Sequence, residues 1–235
     1  MIFLKIKKLI YCFFFPKLFK SYINFVCPLF ELKEIFKYFK HIDYLIDVGS
    51  NKGQFSILFN YHYPKSKIYS FEPQKKYLLV QKKILSKKIV SFFNFCLGEK
   101  ISYNYLNITA KEDSSSLLDP NIFNDTIYKI IKKVRVRIKT LDGTINFKRN
   151  KIYLLKIDVQ GYENQVLKGA KKNLENIKYI IIELSNSEFY KNQSKNNKII
   201  KLLNNNGFKI LKIFNKNFLK KNCFQADYLF INRNL

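Results

Sequence analysis

Histidine is almost missing from this 235-residue chain: His41 and His62 are the only two, so a histidine-rich metal centre is out of reach. The cysteines Cys12, Cys27, Cys96 and Cys223 include no C-x-x-C pair, so neither a zinc site nor a disulfide framework is signalled. They read as reduced thiols of a cytoplasmic protein. Near the start the longest uncharged run covers residues 9–16, far short of the ~20 residues a bilayer-spanning helix needs. There are 7 glycines, and 17 acidic residues against 43 lysines and arginines. Where residues this scarce fall at turns and strand ends, they mark positions that little else fits.

Positive charge is in excess. A net charge of +26 and a pI near 9.8 favour anionic partners: nucleic acid, an anionic membrane face or charged glycans. Lysine greatly outnumbers arginine and is spread along the chain with Asn and Ile, the pattern an AT-rich genome produces. Nucleic acid is therefore the less favoured partner, since the basic residues form no single stripe in sequence. With 47% hydrophobic and 17% aromatic residues the chain is globular, and its length suits one domain with a sizeable core.

Residues 1–30, "MIFLKIKKLIYCFFFPKLFKSYINFVCPLF", alternate apolar residues with lysines. Three readings fit: a helical arm packed on the domain, a segment lying on an anionic membrane surface, and a signal peptide. The last lacks a small-residue cleavage site. We expect a basic, aromatic-rich helical arm over 1–40, followed by one domain over 41–235.

That domain reads as strands alternating with helices. Strands are expected at 44–48, 67–71, 89–95, 134–140, 153–159, 179–184, 208–214 and 227–232, and helices at 54–61, 74–85, 163–176 and 195–205. Continuous apolar runs such as "YLLKIDV" suit central strands covered on both faces of an α/β sheet. Around 98–133 the alternation breaks, and we expect an insertion placed to cover a pocket.

In open parallel sheets, ligands bind beyond the carboxyl ends of the strands. Four of the scarce acids sit there: Asp47, Glu72, Asp158 and Glu183. Gly49 and Gly53 follow the first strand in "LIDVGSNKGQF", and Gly161 follows the "YLLKIDV" strand. The first loop lacks the spacing of G-x-x-x-x-G-K-[ST], and it lacks the middle glycine of G-x-G-x-x-G. Both a phosphate cradle and a nicotinamide-dependent oxidoreductase are thereby disfavoured. Glu72, after the second strand, is placed to accept ribose hydroxyls. An acidic strand end, a glycine-poor loop and a ribose-binding acid suit a ligand with ribose and no phosphate, which S-adenosylmethionine is. Lys52 then reads as solvent-facing.

"IDVGSNKGQFS", "SFEP", "KIDVQGYENQVLKGA" and "IIIELS", with "SSSL" at 114–117 and "KTLDG" at 139–143, strongly resemble the FkbM-type family of S-adenosylmethionine-dependent methyltransferases. The resemblance runs from about residue 44 to the "ADYLFINR" strand and leaves out the arm. It implies a Rossmann-like class I methyltransferase fold, α/β, with a mostly parallel central sheet and a C-terminal antiparallel strand. It implies that Asp47, Gly49, Asn51 and Gly53 line the methionine end of the cofactor, that Glu72 holds the ribose, and that Asn94, Cys96 and Leu97 lie near the adenine. Asp158, then Glu183, then Glu163 are the candidates for a general base toward an acceptor hydroxyl. Each has a structural alternative: Asp158 a helix cap, Glu183 a partner for backbone amides or a lysine, Glu163 a first-turn carboxylate favoured by the helix dipole. Some related methyltransferases bind a metal at the position of Asp158; no metal-ligand residues are assigned in this sequence.

The expected reaction is O-methylation of a sugar, glycolipid or small metabolite. The competing reading is a nucleic-acid-binding module with a methyltransferase-like fold. Gln160 departs from the family, which often has Glu there.

Overall fold

The computed structural model describes residues 10, 12–121, 128–220 and 223–235, so the expectations for 1–9 and for the middle of the insertion lie outside the described residues. The side chain of Cys223 lies outside them as well. Ten strands form among the described residues: β1 Tyr44–Val48, β2 Lys67–Phe71, β3 Val90–Phe93, β4 Cys96–Leu97, β5 Ser102–Thr109, β6 Ile130–Lys139, β7 Tyr153–Ile157, β8 Ile177–Ser185, β9 Phe208–Lys220 and β10 Cys223–Asn232. The α-helices that lie wholly among the described residues are α1 Phe19–Ile23, α2 Gln54–His62, α3 Lys75–Ile84, α4 Glu163–Lys168 and α5 Asn196–Asn205.

Seven strands make the main sheet, in the order β3-β2-β1-β7-β8-β10-β9. The pairs β1–β2, β1–β7, β2–β3 and β7–β8 are parallel, and β10 runs antiparallel to both β8 and β9. This is the α/β sheet expected from the sequence, with its antiparallel C-terminal strand. All five residues of β1 and of β7 are buried, because neighbours cover both faces of these central strands. Side chains alternate: Ile46, Leu155 and Ile180 pack in one cluster, while Leu45, Leu154 and Ile181 pack in the other.

The arm contributes to that second cluster. Cys12, Leu18, Val26, Leu32, Ile35, Phe36 and Phe39 are buried in it beside Phe55 and Phe59 of α2. Phe36 stacks on His62 with ring centroids 4.2 Å apart, and Phe39 lies 4.7 Å from Tyr179 of β8. Among the described residues, no helix is long and apolar enough to cross a membrane.

Two sequence expectations need correction. The stretch around 98–133 is more regular than an insertion loop: β5 pairs antiparallel with β6, and β4 runs parallel to β6, giving a second, three-stranded sheet. The strand β5 escaped notice because its first half faces solvent, with Tyr103 and Tyr105 exposed, so the period-2 pattern covers only Leu106 and Ile108. The helix expected over 163–176 stops at Lys168. Gly169 packs so closely that a Cβ there would lie 1.9 Å from the Gly98 carbonyl oxygen, and the chain turns away before a short 3₁₀ segment, Leu174–Asn176.

Replacing Phe36 by Ala removes a buried ring from the contact between arm and α2. The expected loss of stability is ~3–5 kcal/mol, read from the urea midpoint. A loss under ~1 kcal/mol would show that the arm is not part of the cooperative core.

Candidate active site

A cavity of about 270 Å³ opens beyond the carboxyl ends of β1, β2, β7 and β8. Its floor is built from the loop after β1, the end of β2, strand β4 and the turn after β7. Residues Lys111–Leu117, from the second sheet's connection, form another wall.

The loop after β1 is held by a buried polar network. Gly49 and Ser50 N–H groups donate to the Phe71 carbonyl, each at 3.1 Å. From α3, the buried amide of Gln81 donates to the Asn51 carbonyl at 2.6 Å and to Ser50 Oγ at 2.9 Å, and accepts from Ser70 Oγ at 2.7 Å. Gly49 has φ +76, and a Cβ there would sit 1.9 Å from the Asp158 carbonyl oxygen. Only glycine lets β1's loop approach the β7 turn this closely.

Glu72 is buried at the edge of this loop. Its carboxylate accepts the Asn51 N–H at 2.9 Å and the Gln74 N–H at 2.7 Å. Burial pushes its pKa up to about 7 against those two donors. An ionised carboxylate has about four lone-pair sites, so two remain for a ligand's hydroxyls.

The turn after β7 carries a second polar cluster. Lys156, buried within β7, donates to Asp158 Oδ2 at 2.9 Å. Gln160 Nε2 donates to Asp158 Oδ1 at 2.9 Å and to Glu183 Oε2 at 3.0 Å. Burial opposes the charge on Asp158, but Lys156 and Gln160 outweigh it and hold the pKa below the usual value. Glu183 moves the other way: burial first, then Asp158 and Asp227, raise it well above the ordinary carboxylate range. Lys156 keeps its proton beside Asp158 and Asp47 despite burial. Two neighbouring carboxyl groups thus have opposite protonation preferences, the arrangement that separates acid and base roles.

The wall is tied to this turn. Ser116 Oγ donates to the Gln160 carbonyl at 2.6 Å, and the Tyr190 hydroxyl lies 2.8 Å from the Ser114 carbonyl and 3.0 Å from Gln160 Oε1. Lys52 pairs with Glu112, joining the β1 loop to the same wall. Lys52 is therefore a bridging residue, where the sequence suggested a solvent-facing one.

Of the residues singled out in the sequence, Gly49, Asn51, Glu72, Cys96, Leu97, Asp158 and Glu183 line the cavity. Asp47, Gly53 and Asn94 lie behind it. Asp47 is fully buried, accepts Ser56 Oγ at 2.6 Å, and has its pKa raised by burial. Gly53, with φ +83, begins α2 against Gln81. Asn94 donates to the carbonyls of Glu72 and Pro73, bracing the end of β2. Glu163 accepts the Gly161 N–H at 2.9 Å, as its first-turn reading implies, with its pKa raised by burial to about 7.

Sequence reasoning missed Gln81, Lys156 and Tyr190. A lysine inside the apolar run "YLLKIDV" was the available signal for Lys156. Gln81 sits among lysines on α3 and carries no such mark.

Replacing Gln81 by Leu leaves the Asn51 carbonyl without its amide donor. The expected cost is ~1–3 kcal/mol, measured by urea denaturation. A variant as stable as the parent would mean that the network does not hold the loop.

The family model described as the methyltransferase FkbM domain matches residues 47–210, more than half of the chain. A hexuronic acid methyltransferase, AglP of Haloferax volcanii, is 26% identical over 145 residues, a match covering 60% of this chain and 56% of that protein. The chain thus spans little more than half the length of that relative. Among solved structures, TehB from Haemophilus influenzae superposes with a TM-score of 0.51 at 11% identity, over 92% of this chain and 66% of that one. That likeness is one of fold. The chain belongs to the FkbM family of S-adenosylmethionine-dependent methyltransferases.

Proposed function

We propose that the protein O-methylates a hydroxyl of a sugar or sugar-bearing small molecule. The observation that carries this reading is the convergence of Glu72 with the Asp158–Gln160–Glu183 cluster on one cavity. The hexuronic acid methyltransferase among its relatives favours a sugar as the acceptor.

The residues present fit S-adenosylmethionine. Glu72 would hold the ribose hydroxyls with its spare lone pairs, Gly49 and Asn51 would face the methionine part, and Cys96 and Leu97 the adenine. Asp47, Gly53 and Asn94 would act through the backbone they brace. When bound, the cofactor supplies a methyl carbon already activated by its sulfonium. The chain's own task is then to align the acceptor oxygen, and proximity and orientation contribute up to ~7–11 kcal/mol. Asp158, held ionised by Lys156, would take the hydroxyl proton. Glu183, held protonated, would donate a hydrogen bond to the acceptor. Gln160 keeps the two carboxyl groups apart and oriented without adding a third negative charge.

Two outcomes test this. Asp158→Asn should lower kcat by ~10²–10⁴, with little change in S-adenosylhomocysteine affinity measured by calorimetry. Retained turnover would remove Asp158 from proton transfer. For Glu72, only the ionised form can accept both ribose hydroxyls. Its pKa of about 7 therefore makes S-adenosylhomocysteine affinity rise as pH rises through that value. Glu72→Gln should abolish this pH dependence and weaken binding ~10–100-fold. Binding that is insensitive to both pH and Glu72→Gln would overturn the ribose assignment, and no binding at all would overturn the function.

A further inference from the structure

The arm buries one side in the core and leaves the other bare. Ile10, Phe13, Phe14, Phe19, Ile23 and Phe25 are all exposed, Phe14 to 71% and Phe25 to 80%. Part of this set is joined: Phe13 makes ring contacts with Phe14, Phe19 and Tyr22, at centroid distances of 5.4, 6.1 and 5.3 Å. Isolated exposed apolar residues are ordinary, but a clustered aromatic face marks an interaction site.

Phe25 is the most telling member. After α1, the Val26 N–H donates to the Ser21 carbonyl and the Phe25 N–H to the Tyr22 carbonyl, each at 3.0 Å. This is a Schellman cap, which places Phe25 at the C′ position with φ +53. Glycine is usual there, and a bulky residue in that conformation is strained. Folding alone gains nothing from a phenylalanine whose ring is left almost wholly in solvent.

The charge along this segment of chain has one sign. Lys17 and Lys20 are exposed beside it, Lys5, Lys7 and Lys8 precede it in the sequence, and no acidic residue occurs before Glu31. Exposed Phe and Ile flanked by lysines match the boundary between anionic lipid headgroups and acyl chains, where rings insert and lysine stems reach back to phosphate. A protein interface of standard kind is depleted in lysine.

We propose that the exposed aromatic face of residues 10–25 docks on an anionic phospholipid surface. The arm then brings the cavity to that surface. Leu29 lines the cavity and donates its N–H to the Gln54 carbonyl. It lies four positions beyond Phe25, a span of at most ~14 Å. An acceptor held at the membrane would come within reach of the cavity.

The test is sedimentation of the full chain with phosphatidylcholine vesicles, with and without about one-third phosphatidylglycerol. Binding should need the anionic lipid and weaken as salt rises. Lys17→Glu with Lys20→Glu should weaken it about tenfold or more. Phe25→Gly gives the sharpest arm. It should leave the thermal midpoint unchanged or raise it while weakening vesicle binding, an opposition that a packing role for Phe25 cannot produce. Equal binding to neutral vesicles, no binding at all, or unchanged binding by both the lysine and Phe25→Gly variants would overturn the proposal. So would a concentration-dependent dimer abolished by Phe14→Ser, which would assign the face to a second copy of the chain. S-adenosylhomocysteine binding, measured on the same variants, should stay at the parent value, which keeps this result separate from the catalytic reading.

Discussion

The buried ion pair between Lys156 and Asp158 sets the electrostatics of the whole site. An ammonium inside a central strand is costly unless it is paired, and a carboxylate beside it is costly unless it is neutralised. The pair meets both conditions, and its consequences spread. Asp158 stays ionised, Glu183 on the next strand, raised first by burial, is pushed further toward its protonated form by Asp158, and Asp47 on the other side gains a cation within electrostatic reach. Acidic residues from three strands can share one small volume because a single lysine sits among them.

The same region is also where the backbone is tightest. Gly49 rests against the Asp158 carbonyl, so the loop after β1 and the turn after β7 are mechanically one unit. Gln81 fixes that loop from α3, and Ser116 with Tyr190 fixes the turn from the second sheet and the region after β8. Side chains held in this way need little reordering when a ligand binds, which favours alignment as the main source of rate.

Much of the scaffold was legible in the sequence. The runs that became β1 and β2 appear with their observed bounds, because continuous or alternating apolar residues leave few other places for a strand. The acids at strand ends were legible for a compositional reason: in a chain this basic, a carboxylate beside a glycine turn stands out. Less legible were residues whose role depends on distant partners. Asp47 lies in the most suggestive motif, yet its side chain turns inward to Ser56. Gln81 looks like one more polar residue on a lysine-rich helix until folding brings Ser50, Ser70 and Asn51 to it.

By itself, the sequence determined the α/β architecture, the family, and the stretches of chain that supply the site, since periodicity and short motifs are local properties. The tertiary structure decided which of those residues face the cavity, which carboxyl group keeps its proton, and which side of the arm is left bare. These depend on burial and on charges brought together across strands far apart in sequence, and neither exists before the chain folds.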